Sequence, residues 1–411
     1  MAKKLMKGCE AIGEAAVQAG CRLFFGYPIT PQNEIPEYMS ARLPQVGRTF
    51  VQAESEVAAS NMLYGAAGAG CRLFFGYPIT PQNEVPEYMA ARLPQVGGTF
   101  VQAESEVAAS NMLYGAAGAG CRCFTSSSSP GISLMMEGVS YIAGAELPVV
   151  IVNIMRGGPG LGGILPSQSD YFQAVKGGGH GDYRCLVLAP STVQEAADLV
   201  QEAFDLADTY RNPVIVLGDG LIGQMMEPVE FKRSVRPEDL PAKPWATTGA
   251  KGRKPNIINS LHLDPEKLEA HNWRLAAKYA TMTKRECRHE EWNLDCTADV
   301  LFVAYGTVAR ICKTAIEALR ERGVRAGLFR PITLFPYPGE SLRKAAEKAG
   351  HILVSELSCG QMVEDVRYHV AGTRPVAFYG RVGGMIMTPE ELVDEALKLV
   401  GWQSAACNPR T

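Results

Sequence analysis

Short apolar runs alternate with amphipathic segments along most of the chain. The pattern at 7–19 predicts a helix, and the apolar run Cys21–Gly26 behind it predicts a strand. Further strands are predicted at 49–53, 121–125, 149–154, 185–189 and 213–217, and helices near 32–43, at 55–68, from Pro130 and at 192–209. Short apolar strands separated by helices indicate a parallel sheet that is covered on both faces.

The pattern changes near residue 229. Segments rich in proline and lysine, with one charged helix, predict a connector with little core over 229–297. Beyond it, strands at 299–304, 325–329 and 351–355 alternate with helices at 307–322, 339–348 and 360–370. We therefore expect an α/β protein with a domain at 1–228, the connector, a smaller α/β domain at 298–400 and a tail at 401–411.

A 50-residue block, 21–70, returns as 71–120 with only Ile35→Val85, Ser40→Ala90 and Arg48→Gly98 between the copies. Solenoids need several stacked units, and nothing else in the chain repeats, so we interpret the block as a tandem duplication. The similar junctions AGCRLF, AGCRLF and AGCRCF, at 19–24, 69–74 and 119–124, support that interpretation.

Composition excludes several classes of protein. A net charge of −3 and the absence of a basic stripe disfavour a nucleic-acid partner. The most apolar region, 131–155, is interrupted by Glu137, Glu146 and Pro148, which disfavours a membrane span. No C-x-x-C pair suits zinc or an iron–sulfur cluster, so we expect reduced thiols and a cytoplasmic protein.

Each copy carries two chemically suggestive motifs. YPITP, at 27–31 and 77–81, makes a rigid loop at the carboxyl end of a strand, where parallel sheets bind ligands. A plain helix-entry turn is the alternative. ESE, at 54–56 and 104–106, begins a helix after a strand. Its second glutamate either serves the helix dipole or is directed into a crevice, where a carboxylate is unfavourable without a function.

Two further sites lie outside the repeat. Arg156 begins a glycine-rich loop after a strand and is suited to binding a carboxylate, although a surface arginine is the alternative. In TSSSSPG, at 125–131, we expect Ser129 as N-cap and Pro130 as the first helical residue, with free N–H groups for an anion.

Many motifs follow one order from Leu5 to about Val400: YPITP, the ESE helix, TSSSSPGISL, NIMRGGPG, PSQSDYFQ, GGGHGDYR, VAYGTVAR, GLFRPITL and SCGQMVEDVR. In these the chain closely resembles the alpha subunit of 2-oxoacid:ferredoxin oxidoreductases. The similarity is greatest to the 3-methyl-2-oxobutanoate (2-oxoisovalerate) branch, and the 2-oxoglutarate branch shares much of the pattern.

The resemblance implies a thiamine diphosphate pyrimidine-binding domain, followed by a transketolase-C-terminal-like domain. The complex would convert a branched-chain 2-oxoacid and coenzyme A to acyl-CoA and CO₂, with electrons passed to ferredoxin. A beta subunit would bind the diphosphate with Mg²⁺ and carry a [4Fe–4S] cluster, next to gamma and ferredoxin-like delta subunits. This chain alone would bind no metal.

The same resemblance suggests the site residues. The catalytic glutamate would be Glu106 or Glu56, and the threonine near the substrate Thr80 or Thr30. Arg156 and Ser167 would bind the substrate. The residues expected at the cofactor are Tyr77, Pro78, Tyr27, Pro28 and Ser129.

Two glycine-containing motifs bear on cofactor binding. LGDG at 217–220 is similar to the start of a magnesium–diphosphate motif, but the segment PWATTGAKG lacks the asparagine that completes it. We therefore expect no diphosphate site in this chain. The absence of G-x-G-x-x-G between a strand and a helix, and of a P-loop, disfavours a third class, a nucleotide-binding module.

The duplication leaves one question open. Looping out 50 residues from any start between 21 and 71 restores the family pattern. A breakpoint in LPQVGRT pairs Thr30 with Glu106, whereas keeping the second copy whole pairs Thr80 with Glu106. We predict Glu106 and leave the threonine open. The extruded block exposes apolar sequence, so a non-catalytic assembly subunit is the alternative function.

Overall fold

The computed structural model describes residues 4–19, 23–25, 49–51, 105–230 and 240–401, with Tyr38, Met39, Arg42 and Gln45. The predicted site residues Tyr27, Pro28, Thr30, Glu56, Tyr77, Pro78 and Thr80 lie outside the described residues.

The elements up to residue 230 build most of one large sheet with its helices, and a separate two-stranded sheet. In chain order they are β1 (Lys4–Lys7), α1 (Gly8–Gln18), β2 (Leu23–Phe25), β3 (Thr49–Val51), α2 (Glu106–Gly118), β4 (Cys123–Ser127), α3 (Ser129–Gly144), β5 (Val150–Met155), α4 (Tyr171–Lys176), β6 (Leu186–Leu188), α5 (Val193–Tyr210), β7 (Val214–Asp219), α6 (Gly220–Gln224) and β8 (Met226–Val229).

The remaining elements build mainly a second sheet. They are α7 (Pro265–Arg285), β9 (His289–Trp292), β10 (Ala298–Val303), α8 (Gly306–Glu321), β11 (Ala326–Pro331), β12 (Thr333–Phe335), α9 (Gly339–Glu347), β13 (Ala349–Glu356), α10 (Met362–Val370), β14 (Val376–Gly380) and α11 (Pro389–Leu399).

Both large sheets are mostly parallel. The first has the order β12-β6-β7-β5-β4-β2-β3, and only β12 runs antiparallel to its neighbour. The second has the order β14-β13-β10-β11-β9, with β9 antiparallel. β1 and β8 pair separately. The predicted α/β class with parallel sheets is confirmed.

Alternate strand residues face opposite cores. On β5, Ile151 and Met155 join the core that continues to the second sheet, whereas Val150, Val152 and Ile154 pack beneath α1 and α5. A third core covers the other face of the second sheet under α8 and α11. The all-apolar strand sequences are thus explained by burial on both faces.

The structure differs from the sequence-based expectation in several places, of which three bear on the site and the core. The N-cap of α3 is Ser128, so Ser129 is already helical and Pro130 comes second. The helix α7 of the predicted connector buries Leu275, Tyr279 and Met282 in the core under α1, so this segment contributes more core than its composition indicated. β12 joins the first sheet, a long-range pairing that local periodicity does not reveal.

The first sheet takes β2 and β3 from the first copy of the repeat and a covering helix from the second. β2 of the first copy lies between β3 of the same copy and β4, which follows the repeat. The helix beside them, α2, comes from the second copy and packs against α3. This combination corresponds to a breakpoint between β3 and α2, at 52–104.

A buried carboxylate attaches the first copy to α1. Glu14 is 6% exposed and accepts hydrogen bonds from Tyr38 Oη at 2.6 Å, Arg42 Nε at 2.7 Å and Gln18 Nε2 at 3.0 Å. Burial raises the pKa of Glu14, but these bonds outweigh burial and leave the pKa below its usual value. An ionised Glu14 therefore stabilises this arrangement.

Among the described residues, no helix has both the length and the apolar character required to span a bilayer.

The two copies offer a matched test of this assignment. Arg42→Ala leaves the buried Glu14 carboxylate without its cation, so we expect a loss of about 2 kcal/mol in the free energy of unfolding at pH 7. Because the pKa of Glu14 is lowered in the folded state, the loss should shrink as acid protonates it. Chemical denaturation at several pH values measures both effects.

The control is Arg92→Ala, the same substitution in the second copy, which should leave stability unchanged. Equal losses for Arg42→Ala and Arg92→Ala would contradict the use of the first copy beside α1.

Candidate active site

The candidate site lies at the carboxyl ends of β4 and β5. Ser127 of β4 is the register partner of Asn153 of β5, so both side chains leave the same face of the sheet. Thr125 precedes Ser127 by two residues on that face. Beyond these strands begin α3 and the loop that carries Arg156, while α2 covers the face.

Glu106 is the first residue of α2 and is only 3% exposed. Ser105 caps the helix by accepting a hydrogen bond from Ala108 N at 3.3 Å, so the helix does not need Glu106 as its cap. The carboxyl of Glu106 is therefore buried, and the helix begins without its help.

Two glycines let α2 approach α3 closely. A Cβ on Gly131 would overlap Ser127 Oγ and Glu106 Oε1, and a Cβ on Gly138 would overlap Ser110 Oγ. Glu106 and Ser110 lie one turn apart on α2, and Gly131 and Gly138 lie two turns apart on α3. The close contact of these helices fixes the Glu106 carboxyl against β4.

Burial dominates the ionisation of Glu106. It raises the pKa of this carboxyl to about 7, against smaller lowering effects from a hydrogen bond with its own backbone N–H and from the charge of Arg156. Glu106 can consequently hold or release a proton near neutral pH.

Arg156 follows β5 and is 7% exposed. Its backbone N–H donates to Ser129 Oγ at 3.1 Å, and its Nη2 donates to Leu161 O at 3.2 Å. Burial lowers the pKa of Arg156, while the charges of Asp170 and Glu106 raise it. The guanidinium is thus close enough to both carboxyl groups to interact with their charges.

Asp170, which precedes α4, belongs to the same cluster and was missed by the sequence analysis. Its Oδ2 accepts hydrogen bonds from Ser129 Oγ at 2.6 Å and from Asn153 Nδ2 at 2.9 Å. Burial raises the pKa of Asp170 despite these bonds and the nearby Arg156. PSQSDYFQ contained the signal, a carboxylate beside conspicuous serines, but local spacing does not reveal its partners.

The hydrogen bonds of Ser167 go to residues outside this cluster. Its Oγ lies 2.9 Å from Ser169 Oγ and donates to Leu357 O at 3.3 Å, which links the loop to the second sheet. Of the four described candidates, the structure therefore brings together Glu106, Arg156 and Ser129.

Four buried polar atoms on β4, just after it and on β5 have no hydrogen-bond partner among the described residues: Thr125 Oγ1, Ser127 Oγ, Ser128 Oγ and Asn153 Oδ1. Buried polar atoms are usually paired, so this group suits a ligand that brings both donors and acceptors. An aminopyrimidine ring is such a ligand, and the residues present fit it.

Asp219 of LGDG has a different use. Its carboxylate accepts hydrogen bonds from Leu221 N, Ile222 N, Thr307 N and Thr307 Oγ1 at 2.6–3.2 Å. It is 1% exposed and holds the GTVA turn of the second sheet against the first. Across the described part of the chain, no three His, Cys, Asp or Glu residues group as metal ligands.

Known protein families match nearly the whole chain. A profile described as pyruvate flavodoxin/ferredoxin oxidoreductase, thiamine diphosphate-binding, matches residues 14–75 and again 68–294. A second, pyruvate:ferredoxin oxidoreductase core domain II, matches 298–392. The second match of the first profile begins just before the second copy of the repeat.

Individual relatives match this chain over nearly their whole length. Ketoisovalerate oxidoreductase subunit VorB of Methanothermobacter thermautotrophicus is 48% identical over 98% of this chain and 99% of its own. 2-oxoglutarate synthase subunit KorA of Archaeoglobus fulgidus is 38% identical over 96% of this chain and 98% of its own.

One solved structure has the same fold over 97% of this chain, with a TM-score of 0.73 and 22% identity. It is the 2-oxoglutarate:ferredoxin oxidoreductase of Magnetococcus marinus with 2-oxoglutarate, coenzyme A and succinyl-CoA bound, and this chain spans 65% of the length of its chain.

The raised pKa of Glu106 predicts a pH-dependent stability. The folded protein keeps a proton up to about pH 7 that the unfolded chain releases near pH 4.5. Glu106 therefore lowers the free energy of unfolding as pH rises through that window. Glu106→Gln removes the penalty. We expect the variant to gain up to about 3 kcal/mol over the parent between pH 4.5 and pH 7, by chemical denaturation.

Glu56→Gln is the matched control and should leave the pH profile of stability unchanged. The assignment is wrong if Glu106→Gln gains nothing on going from acid to neutral pH.

Proposed function

Because this chain belongs to the 2-oxoacid:ferredoxin oxidoreductase family, we propose that it is the alpha subunit of a complex that oxidises 3-methyl-2-oxobutanoate. The products would be the acyl-CoA and CO₂, and ferredoxin would accept the electrons. The sequence-based resemblance to this family is confirmed by the profiles and by the relatives. The branched-chain substrate is supported by the similarity to two ketoisovalerate oxidoreductase subunits.

One observation carries the catalytic assignment: Glu106 is buried, with a pKa near 7, beside four polar atoms that lack partners among the described residues. Thiamine diphosphate, when bound, supplies the nucleophilic carbon and the electron sink that decarboxylation requires. Glu106 would hold the pyrimidine half of this cofactor by a hydrogen bond and keep or release a proton at its carboxyl oxygens.

Arg156 would bind the carboxylate of the 2-oxoacid. Its guanidinium is nearly buried, so an ion pair with the substrate would be screened weakly by water. Ser129 Oγ fixes the backbone from which Arg156 extends. Ser167 would act at the edge of the site, through the loop that it connects to Leu357.

The cofactor would be shared with a beta subunit. Asp219, the acidic residue of LGDG, already accepts four hydrogen bonds within this chain, which supports a diphosphate–Mg²⁺ site on another subunit. The proposed complex also includes a [4Fe–4S] cluster on the beta subunit, a gamma subunit and a ferredoxin-like delta subunit. The chain itself would comprise a pyrimidine-binding domain at 1–228, a connector and a second domain at 298–400.

Glu106 and Glu56 give the sharpest test of this function. In the purified complex, we expect Glu106→Gln to lower 3-methyl-2-oxobutanoate-dependent reduction of a viologen dye by about 10²–10⁴-fold, because it removes a proton-transferring carboxyl. Glu56→Gln should retain the parent rate.

Loss of activity in Glu56→Gln alone would reassign the site to the first copy. An assembled parent complex without turnover on any 2-oxoacid would instead support a non-catalytic subunit. Faster turnover of 2-oxoglutarate than of 3-methyl-2-oxobutanoate would change the substrate.

A second pair of variants tests whether Thr30 or Thr80 lies at the substrate. Thr30 follows β2, a first-copy strand of the sheet, whereas Thr80 follows the equivalent sequence of the second copy. We expect Thr30→Val to lower kcat/KM roughly tenfold by removing one hydrogen bond, about 1.4 kcal/mol. Thr80→Val is its control in the steady-state assay, and a reversed result would assign Thr80.

A further inference from the structure

A carboxylate outside the predicted site organises the residues around Arg156. Asp170 directly precedes α4, where an aspartate usually caps the helix through its side chain. Here its carboxylate makes no such cap and accepts hydrogen bonds from Ser129 and Asn153 instead. The backbone N–H of Phe172 in α4 donates to Gln361 Oε1 at 2.8 Å. Gln361 thus replaces the missing cap, which leaves Asp170 available to the site.

The Ser129 hydroxyl relays the effect of Asp170 to Arg156. Ser129 Oγ lies 2.6 Å from Asp170 Oδ2 and 3.3 Å from Arg156 O, and it has one hydrogen to donate. The shorter, charged acceptor takes that hydrogen, because charge-assisted bonds are stronger. A lone pair of Ser129 Oγ then accepts the backbone N–H of Arg156 at 3.1 Å.

Asp170 also orients the amide of Asn153. A carboxylate only accepts hydrogen bonds, so Asn153 must present Nδ2 to Asp170. Its Oδ1, buried and without a partner among the described residues, is therefore presented as an acceptor on the same face as Ser127.

We propose that Asp170 is a positioning residue, which holds Arg156 through Ser129 and fixes the Asn153 amide. Gln361, the N-cap of α10, leaves it free for this task. The consequence for substrate binding rests on the proposed function. Without Asp170, the Ser129 side chain loses the hydrogen bond that fixes its orientation, so its bond to the backbone N–H of Arg156 is weakened.

The first measurement is steady-state kinetics of the purified complex. Asp170→Ala should raise KM for 3-methyl-2-oxobutanoate about 10- to 100-fold, with kcat changed less than about threefold, because a misplaced Arg156 weakens binding of the substrate carboxylate by more than the removal of one negative charge strengthens it. Asp170→Asn keeps an acceptor oxygen without the charge and should give an intermediate KM. The control is Asp182→Asn, which alters an exposed aspartate and should leave both constants unchanged.

The second measurement is independent of turnover. Hydrogen exchange followed by mass spectrometry should show faster exchange of the Arg156 amide in Asp170→Ala, with the peptides of β10 and β13 unchanged. A general structural defect would accelerate those peptides as well. If the parent complex shows no 2-oxoacid-dependent turnover, the proposed function fails, and the Arg156 amide alone then decides the role of Asp170.

Gln361 supplies the last step of the test. Gln361→Ala frees the Phe172 N–H, so Asp170 can turn to cap α4 and leave Ser129. We expect Gln361→Ala to raise KM by the same route as Asp170→Ala. The rise in KM of the double variant should therefore be well below the product of the two single effects. Unchanged KM and unchanged Arg156 exchange in both Asp170 variants would overturn the proposal, as would full additivity with Gln361→Ala.

Discussion

Two short connections decide how the duplicated chain is used. α1 ends at Gln18 and β2 begins at Leu23, so the first strand after α1 can only come from the first copy. α2 ends at Gly118 and β4 begins at Cys123, so the helix before β4 can only come from the second. Neighbouring elements joined by short links pack side by side. The residues in excess of a single copy are consequently those that lie between β3 and α2 in the sequence.

The site also depends on contacts between the two sheets. Asp219 binds Thr307, and Gln168 exchanges hydrogen bonds with Leu357 through its backbone N–H and its side chain. Gln361 reaches back to Phe172 and Ser169. Each of these polar groups is satisfied across the boundary, so separating the sheets would expose or orphan them. The second sheet therefore acts as a support for the loops that carry Arg156 and Asp170.

Sequence periodicity predicted most helices and core strands, because burial on both sheet faces leaves continuous apolar runs such as 150–155. It missed β9 and β12, whose antiparallel partners lie far away in sequence. It singled out Glu106 and Arg156 because both come soon after a strand pattern in the sequence. It missed Asp170 and Gln361, because their roles arise from contacts between distant loops, and it placed the N-cap of α3 one residue late within a run of four serines.

The charges around Arg156 link substrate binding to protonation. With both Glu106 and Asp170 ionised, the two carboxylates would outweigh the single guanidinium and repel a 2-oxoacid anion. A pKa near 7 lets Glu106 become neutral, and Arg156 is then balanced by Asp170 alone. An incoming carboxylate raises the pKa of Glu106 further, so binding of the proposed substrate favours the protonated glutamate, and protonation favours binding. Under the proposed function, the buried carboxyl of the second copy would thereby carry a proton and also control the net charge that the substrate meets.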